Sequence, residues 1–184
     1  MKSFYRACTL AVVVAIPALT GTAHAAQSEN ISVTVTIQNL SISLSTNTWA
    51  IGTIIAASTT QMTEADDITV TNDGNVDEDF TLELTDPAAW TSGAAPGADI
   101  YTMSGLFCGA GDAPGGADFE AADVITTAAQ TATATIFGYA GGSADGVSVS
   151  ASSSVDLWLE FQAPTSSSDF TEQTITVTVG AVAS

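Results

Sequence analysis

Past residue 24 this chain has no lysine, no arginine and no histidine; Lys2, Arg6 and His24 are the whole set. That absence excludes most side-chain catalysis. There is no Ser-His-Asp or Cys-His arrangement, no Schiff-base lysine and no arginine clamp. A His-Glu-x-x-His zinc site is equally ruled out. Paired carboxylates, as glycosidases and aspartic proteases use them, are still available, but no residues mark such a pair, and the expectation is a protein that is not an enzyme. Nucleic acid is excluded as a partner, since nothing beyond the first 24 residues neutralises phosphate. Anionic membrane surfaces are excluded on the same ground. Proteases that require lysine or arginine find no site in this part of the chain.

Cysteine is almost as scarce. Cys8 lies in the N-terminal apolar run and Cys108 stands alone after it, so no internal disulfide is expected. Cys108 reads either as a small buried apolar residue or as an intermolecular bridge or reactive thiol. Activating the thiol needs a nearby cation or a helix N-terminus, and no cationic side chain is at hand. Repeats of fixed period are missing too, which argues against a solenoid or propeller.

What is present begins with a leader. Lys2 and Arg6 precede an apolar run, Ala7 to Leu19, broken by Pro17. Thr22-Ala23-His24-Ala25 offers small residues at the two recognition positions, so residues 1–25 read as a secretory signal peptide cleaved after Ala25. The run is shorter than the roughly 20 residues of a membrane-spanning helix. The expected product is a secreted, extracellular or cell-surface chain, not inserted in a membrane after cleavage. All 20 acidic residues lie in it. Its length suits one domain with a sizeable core.

Period-2 alternation dominates that chain. Ile31, Val33, Val35 and Ile37 alternate with Ser and Thr; Leu40, Ile42 and Leu44 continue in the opposite parity. The flip at Gln38-Asn39 implies a bulge, kink or hinge. Ile68 and Val70, then Phe80, Leu82 and Leu84, flank the turn signal Asn72-Asp73-Gly74-Asn75, which predicts a hairpin over Asp67–Thr85. Further strands are expected around Ile100–Cys108, 132–136, 147–149, Val155–Phe161 and 175–179. Gly-, Ala- and Pro-rich residues 86–123 read otherwise as long loops. These features predict an all-β fold: a single antiparallel β-sandwich of immunoglobulin-like or jelly-roll type over residues 39–184.

Charge placement singles out the N-terminal segment. No charged residue occurs from Asn30 to Thr63. So neutral a β-forming stretch is an aggregation hazard as an open edge, so it must pair with something. It either supplies the first strands of its own sandwich or is donated. In the second case residues 26–38 leave at the Gln38-Asn39 hinge and complete a sheet of the next subunit, with Ile31, Val33, Val35 and Ile37 filling successive pockets. A head-to-tail contact that does not close builds a homopolymer. Trp158 joins this candidate interface. With Val155, Leu157, Leu159 and Phe161 facing inward, it shares the outer face with Asp156 and Glu160; the competing reading is a cross-strand packing role on a partly covered face. Calcium is the one cofactor worth weighing: Asp73, Asn75, Asp77 and Asp79 place oxygen side chains at alternate positions, as hard cations require. The competing reading is a solvated turn.

The segment Ile68-Thr-Val-Thr-Asn-Asp-Gly-Asn-Val-Asp-Glu-Asp-Phe-Thr-Leu-Glu-Leu84, after a signal peptide and an alternating apolar N-terminus, resembles secreted β-sandwich fibre proteins of the TasA and camelysin kind. They share a strand, an Asn-x-Gly turn and an Asp-Phe/Tyr-x-Leu strand. The resemblance implies donation of an N-terminal strand between subunits of an extracellular biofilm fibre. The metalloprotease activity ascribed to some camelysins is not implied, because the histidines are missing; the family's lysine-rich surface is also absent. The expected function is a structural subunit of an extracellular filament, sheath or matrix, assembled by strand donation. The alternative is a secreted adhesin or carbohydrate-binding module using Trp, Tyr and calcium.

Overall fold

Residues 29–184 are described by the structure, a computed structural model. The signal peptide expected over residues 1–25 lies outside the described residues. Ile37–Ser184 form one compact unit. It contains nine strands: β1 (Ile42–Leu44), β2 (Thr59–Gln61), β3 (Ile68–Asn72), β4 (Glu78–Thr85), β5 (Thr91–Ser92), β6 (Ile100–Cys108), β7 (Gln130–Thr131), β8 (Ser154–Gln162) and β9 (Thr176–Ala183). Among the described residues the only helical turn is a 3-10 turn at Ala121–Asp123. None of them forms a helix long and apolar enough to cross a membrane.

The strands make two sheets. The larger runs β1-β3-β8-β6-β5, with β2 on the far half of β8; the smaller runs β7-β4-β9. All pairings are antiparallel except β5 with β6, which is parallel, so the fold is all-β but not purely antiparallel. Phe80, Leu82 and Leu84 of β4 are buried in one core with apolar residues of β6 and β8. Phe80 and Phe107 rings meet at 5.6 Å. Gly105 allows this approach: a Cβ there would stand 2.8 Å from Leu82 Cδ1. Burying each such side chain contributes about 1.5–3 kcal/mol, in place of side-chain salt bridges, which residues 29–184 cannot make among themselves because they hold no lysine, arginine or histidine.

Three expectations fail here. The Asp67–Thr85 segment is not a hairpin. Its strands do not pair: β3 lies in the larger sheet beside β1 and β8, and β4 lies in the smaller one beside β7 and β9. The turn between them crosses from one sheet to the other, because β4 binds at Glu78 to the backbone of Val149 instead. Residues 132–136 and 147–149 do not form strands either; at 147–149 only an isolated bridge, Val149 with Glu78, is present, and Ser148 turns the backbone to φ +48°. Thr133 and Ile136 close a tight turn on each other, with the Thr133 hydroxyl accepting the Ile136 N–H at 3.0 Å.

The third concerns Trp158, which does not sit on an exposed face. It is 3% exposed, and its neighbours Asp156 and Glu160 are 5% exposed each. The outer face of β8 pairs Trp158 with Leu106, Glu160 with Ser104 and Asp156 with Cys108 of β6. Residues 109–119 fold over that face. Pro114 is buried there and its carbonyl accepts the Gln61 amide, while Gly116 passes within reach of the Glu160 carboxylate. The central strands are therefore covered on both sides. Alternation showed which residues share a face and could not show that a loop returns to cover it.

With no basic side chain among residues 29–184, carboxylates serve as acceptors for loop backbone. Asp112 accepts Gly109 N–H at 3.0 Å and Ser143 N–H at 2.9 Å; Asp99 accepts Ser168 N–H at 2.6 Å. Those backbone bonds hold both carboxyls below the usual carboxylate range. Buried Asp123 accepts Phe137 N–H at 2.8 Å, but desolvation pushes its carboxyl up.

Candidate assembly interface

The turn between β3 and β4 grips the root of the N-terminal segment. Asn75 Nδ2 donates to Ile37 O at 2.8 Å, and Asn39 N–H donates to Asn75 Oδ1 at 2.8 Å. Asp73 N–H donates to Ser41 O at 2.7 Å, and Ser41 N–H donates to Glu78 Oε1 at 2.9 Å. Asn72 holds the turn in shape from inside. Fully buried, it donates both amide hydrogens, to Val76 O and to Val149 O, each at 2.8 Å. Its Oδ1 accepts Gly74 N–H at 2.8 Å. Gly74 has to be glycine, since a Cβ would strike Asn39 O and the Glu78 carboxylate.

This use of the turn bears on calcium. Asn75 is engaged at both ends by backbone, and Asp79 accepts Ser148 N–H at 2.8 Å and the Ser184 hydroxyl at 3.0 Å. Asp73 and Asp77 are exposed. Among the described residues no three His, Cys, Asp or Glu side chains gather where they could hold a metal ion. Asn75 and Asp79 are thus engaged in hydrogen bonds of the fold, while the Asp73 and Asp77 side chains stand exposed.

Residues 29–41, the gripped root included, form no strand. Ile31, Val33, Val35 and Ile37 are 88%, 78%, 81% and 80% exposed. The rest of the uncharged stretch behaves differently: β1 and β2 join the larger sheet, and Trp49, Ile51 and Ile54 pack on the core.

At the other end of the chain, β9 pairs with β4 along its whole length, from Glu78↔Ala183 to Thr85↔Thr176. Its other side has no strand partner among the described residues. The partners Phe80, Leu82 and Leu84 on β4 are buried, whereas Ala181, Val179 and Val177 opposite them are only half-buried. The apolar face thins out toward an uncovered edge.

Comparison finds no matching family model, no similar curated protein and no similar solved structure. Residues and geometry alone carry the functional reading.

Sequence reasoning missed both the grip and the open edge. A signal for the edge was available, since no charged residue follows Glu172. Cys108, by contrast, takes the first of its two readings: it is free and buried. Burial, then the charges of Asp156, Asp112 and Asp67, push its thiol up to about 12. Above its unfolded value, that shift keeps the thiol protonated where an unfolded cysteine is already partly ionised. Native protein at about pH 8 should resist maleimide labelling, and the denatured chain should label at once. Rapid stoichiometric labelling of the native protein would contradict the burial.

Proposed function

We propose that this protein is a secreted structural subunit of an extracellular filament, sheath or matrix, joined by donation of its N-terminal strand. One observation carries the reading. A neutral segment with four alternating large apolar residues stands exposed and unpaired, while its root is held by five side-chain and backbone bonds. Long neutral strand-formers are not left open in soluble monomers, because their free backbone groups template association. A fixed root with a free apolar arm is what strand donation requires. The likeness to fibre proteins of the TasA and camelysin kind points the same way. In this reading the two sheets are a variant of the immunoglobulin-like or jelly-roll sandwich; the β3-to-β4 crossing between sheets supports that assignment.

The adhesin or carbohydrate-binding alternative wants aromatic rings displayed on one face. Trp49 and Trp90 pack against the core, with Trp90 Nε1 donating to the Ser167 hydroxyl at 2.9 Å, and Trp158 is buried. That display is lacking among the described residues.

The test is assembly of residues 26–184 against a deletion of residues 26–36, which stops short of the gripped root. Electron microscopy should show filaments from the first and none from the second. The shortened chain should sediment as a monomer with unchanged circular dichroism. Normal filaments from the deleted protein would defeat the proposal.

A further inference from the structure

We infer that the open edge of β9, Thr176–Ala183, is the acceptor, and that it takes residues Ile31–Ile37 of a second copy of this chain as a fourth strand of the smaller sheet. The inference rests on the strand-donation reading and adds the receiving surface to it.

Every other edge is closed or short. β1 and β2 have three residues each, β5 and β7 two each. Where β6 runs past β5, loops bind it: Ile125 N–H donates to Met103 O at 2.8 Å and Phe107 N–H to Phe137 O at 2.7 Å. Where β4 runs past β7, Phe80 N–H donates to Gly146 O at 2.9 Å and Leu84 N–H to Thr126 O at 2.8 Å. β9 has eight residues and no such cover. It also lacks the usual protections of a strand edge, having no proline and no charge.

The pattern of pairing shows which groups are free. Glu78, Phe80 and Leu84 direct their backbone bonds away from β9. In an antiparallel ladder alternate residues bond to opposite sides, so Asp79, Thr81, Glu83 and Thr85 bond to β9. Their partners there are Val182, Gly180, Thr178 and Thr176. The N–H and C=O groups of Val177, Val179, Ala181 and Ala183 therefore face the open side. Those same residues carry the half-covered apolar face.

The arm fits this edge in length, period and charge. Seven residues from Ile31 to Ile37 match the eight of β9. Ile31, Val33, Val35 and Ile37 would extend the face of Val177, Val179 and Ala181, and Ser32, Thr34 and Thr36 would continue the exposed row of Thr176 and Thr178. Neither strand carries charge, so two polyanions can meet there with less repulsion. Added salt, by screening the remaining carboxylates, should speed the association.

Two variants test it. Ala181→Pro removes an edge-facing N–H without breaking a β4–β9 bond, a position where proline is tolerated. It should cut filament yield by about tenfold or more while leaving the monomer folded. Separately, a protein carrying only Thr34→Cys is mixed with one carrying only Thr178→Cys and treated with a short bismaleimide; buried Cys108 does not compete. Cross-linked heterodimers are expected, and Ala181→Pro in the second partner should abolish them. If the mixture gives none, and cross-links form only within a chain bearing both cysteines, the arm lies on its own β9 and the inference is overturned. Full filament yield from folded Ala181→Pro also overturns it, while strand donation to another edge survives provided that deleting residues 26–36 still abolishes filaments. If Ala181→Pro fails to fold, the single-cysteine mixture decides alone.

Discussion

Trp158→Ala will cost the monomer about 3–5 kcal/mol, the range for truncating a buried aromatic. The indole is 3% exposed, pairs with Leu106 across the sheet, and lies beneath residues 109–119. Removing it opens a cavity between the sheet and that loop. Domains typically have about 5–15 kcal/mol in hand, so the loss is about a fifth of the total or more. Urea unfolding should show a lower midpoint at an unchanged slope. An Asp/Glu-directed protease should cut residues 109–120 faster. Trp158→Phe should cost much less, because the indole Nε1 is buried without a hydrogen-bond partner and its removal takes away an unsatisfied donor. Had Trp158 stood on an exposed interface, its loss would shift monomer stability by no more than about 0.5 kcal/mol. A shift that small in the monomer would overturn the two-sided burial of β8.

Asn72→Ala comes next, at about 2–4 kcal/mol. Three hydrogen bonds of the fully buried amide disappear. Each contributes about 1 kcal/mol net, and a carbonyl left unpaired adds its own desolvation cost. Val149 O keeps its bond from Glu78 N–H, so the heavier loss falls on Val76 O and on the shape of the turn. For a domain of this size the melting temperature should fall by about 10 °C. Asp73→Ala, an exposed side chain in the same turn, should change stability by about 0.5 kcal/mol or less. Equal losses from the two substitutions would show that the asparagine is not what holds the turn. The effect reaches assembly, because Asn75 and Glu78, which bind Ile37 to Ser41, take their places from that turn.

Strand content was legible where alternation met a deep core. Val155, Leu157, Leu159 and Phe161 alternate and are buried, as do Phe80, Leu82 and Leu84. Pairing was not. Asn72-Asp73-Gly74-Asn75 carries the composition of a hairpin turn, and local composition does not encode whether the next strand folds back or crosses to the other sheet. Alternation at 132–136 was misleading for a related reason: with only Ala132 buried and Ala134 exposed, too little apolar area was available to hold a strand against a sheet.

By itself the sequence determined which side chains are missing past residue 24, the β-rich class and the neutrality of Ile31–Ile37. Each follows from residue identity and period, which need no partner. Tertiary structure alone decided that Trp158 is core, that the Asn72–Asn75 turn is a grip on the arm, and that β9 is the long open edge. These depend on which distant segments meet, on loop 109–119 returning over β6 and β8 and on nothing covering Thr176–Ala183 among the described residues. An edge is a property of a sheet's order, and strand order is set by the global packing of apolar faces, to which any one strand's sequence is blind.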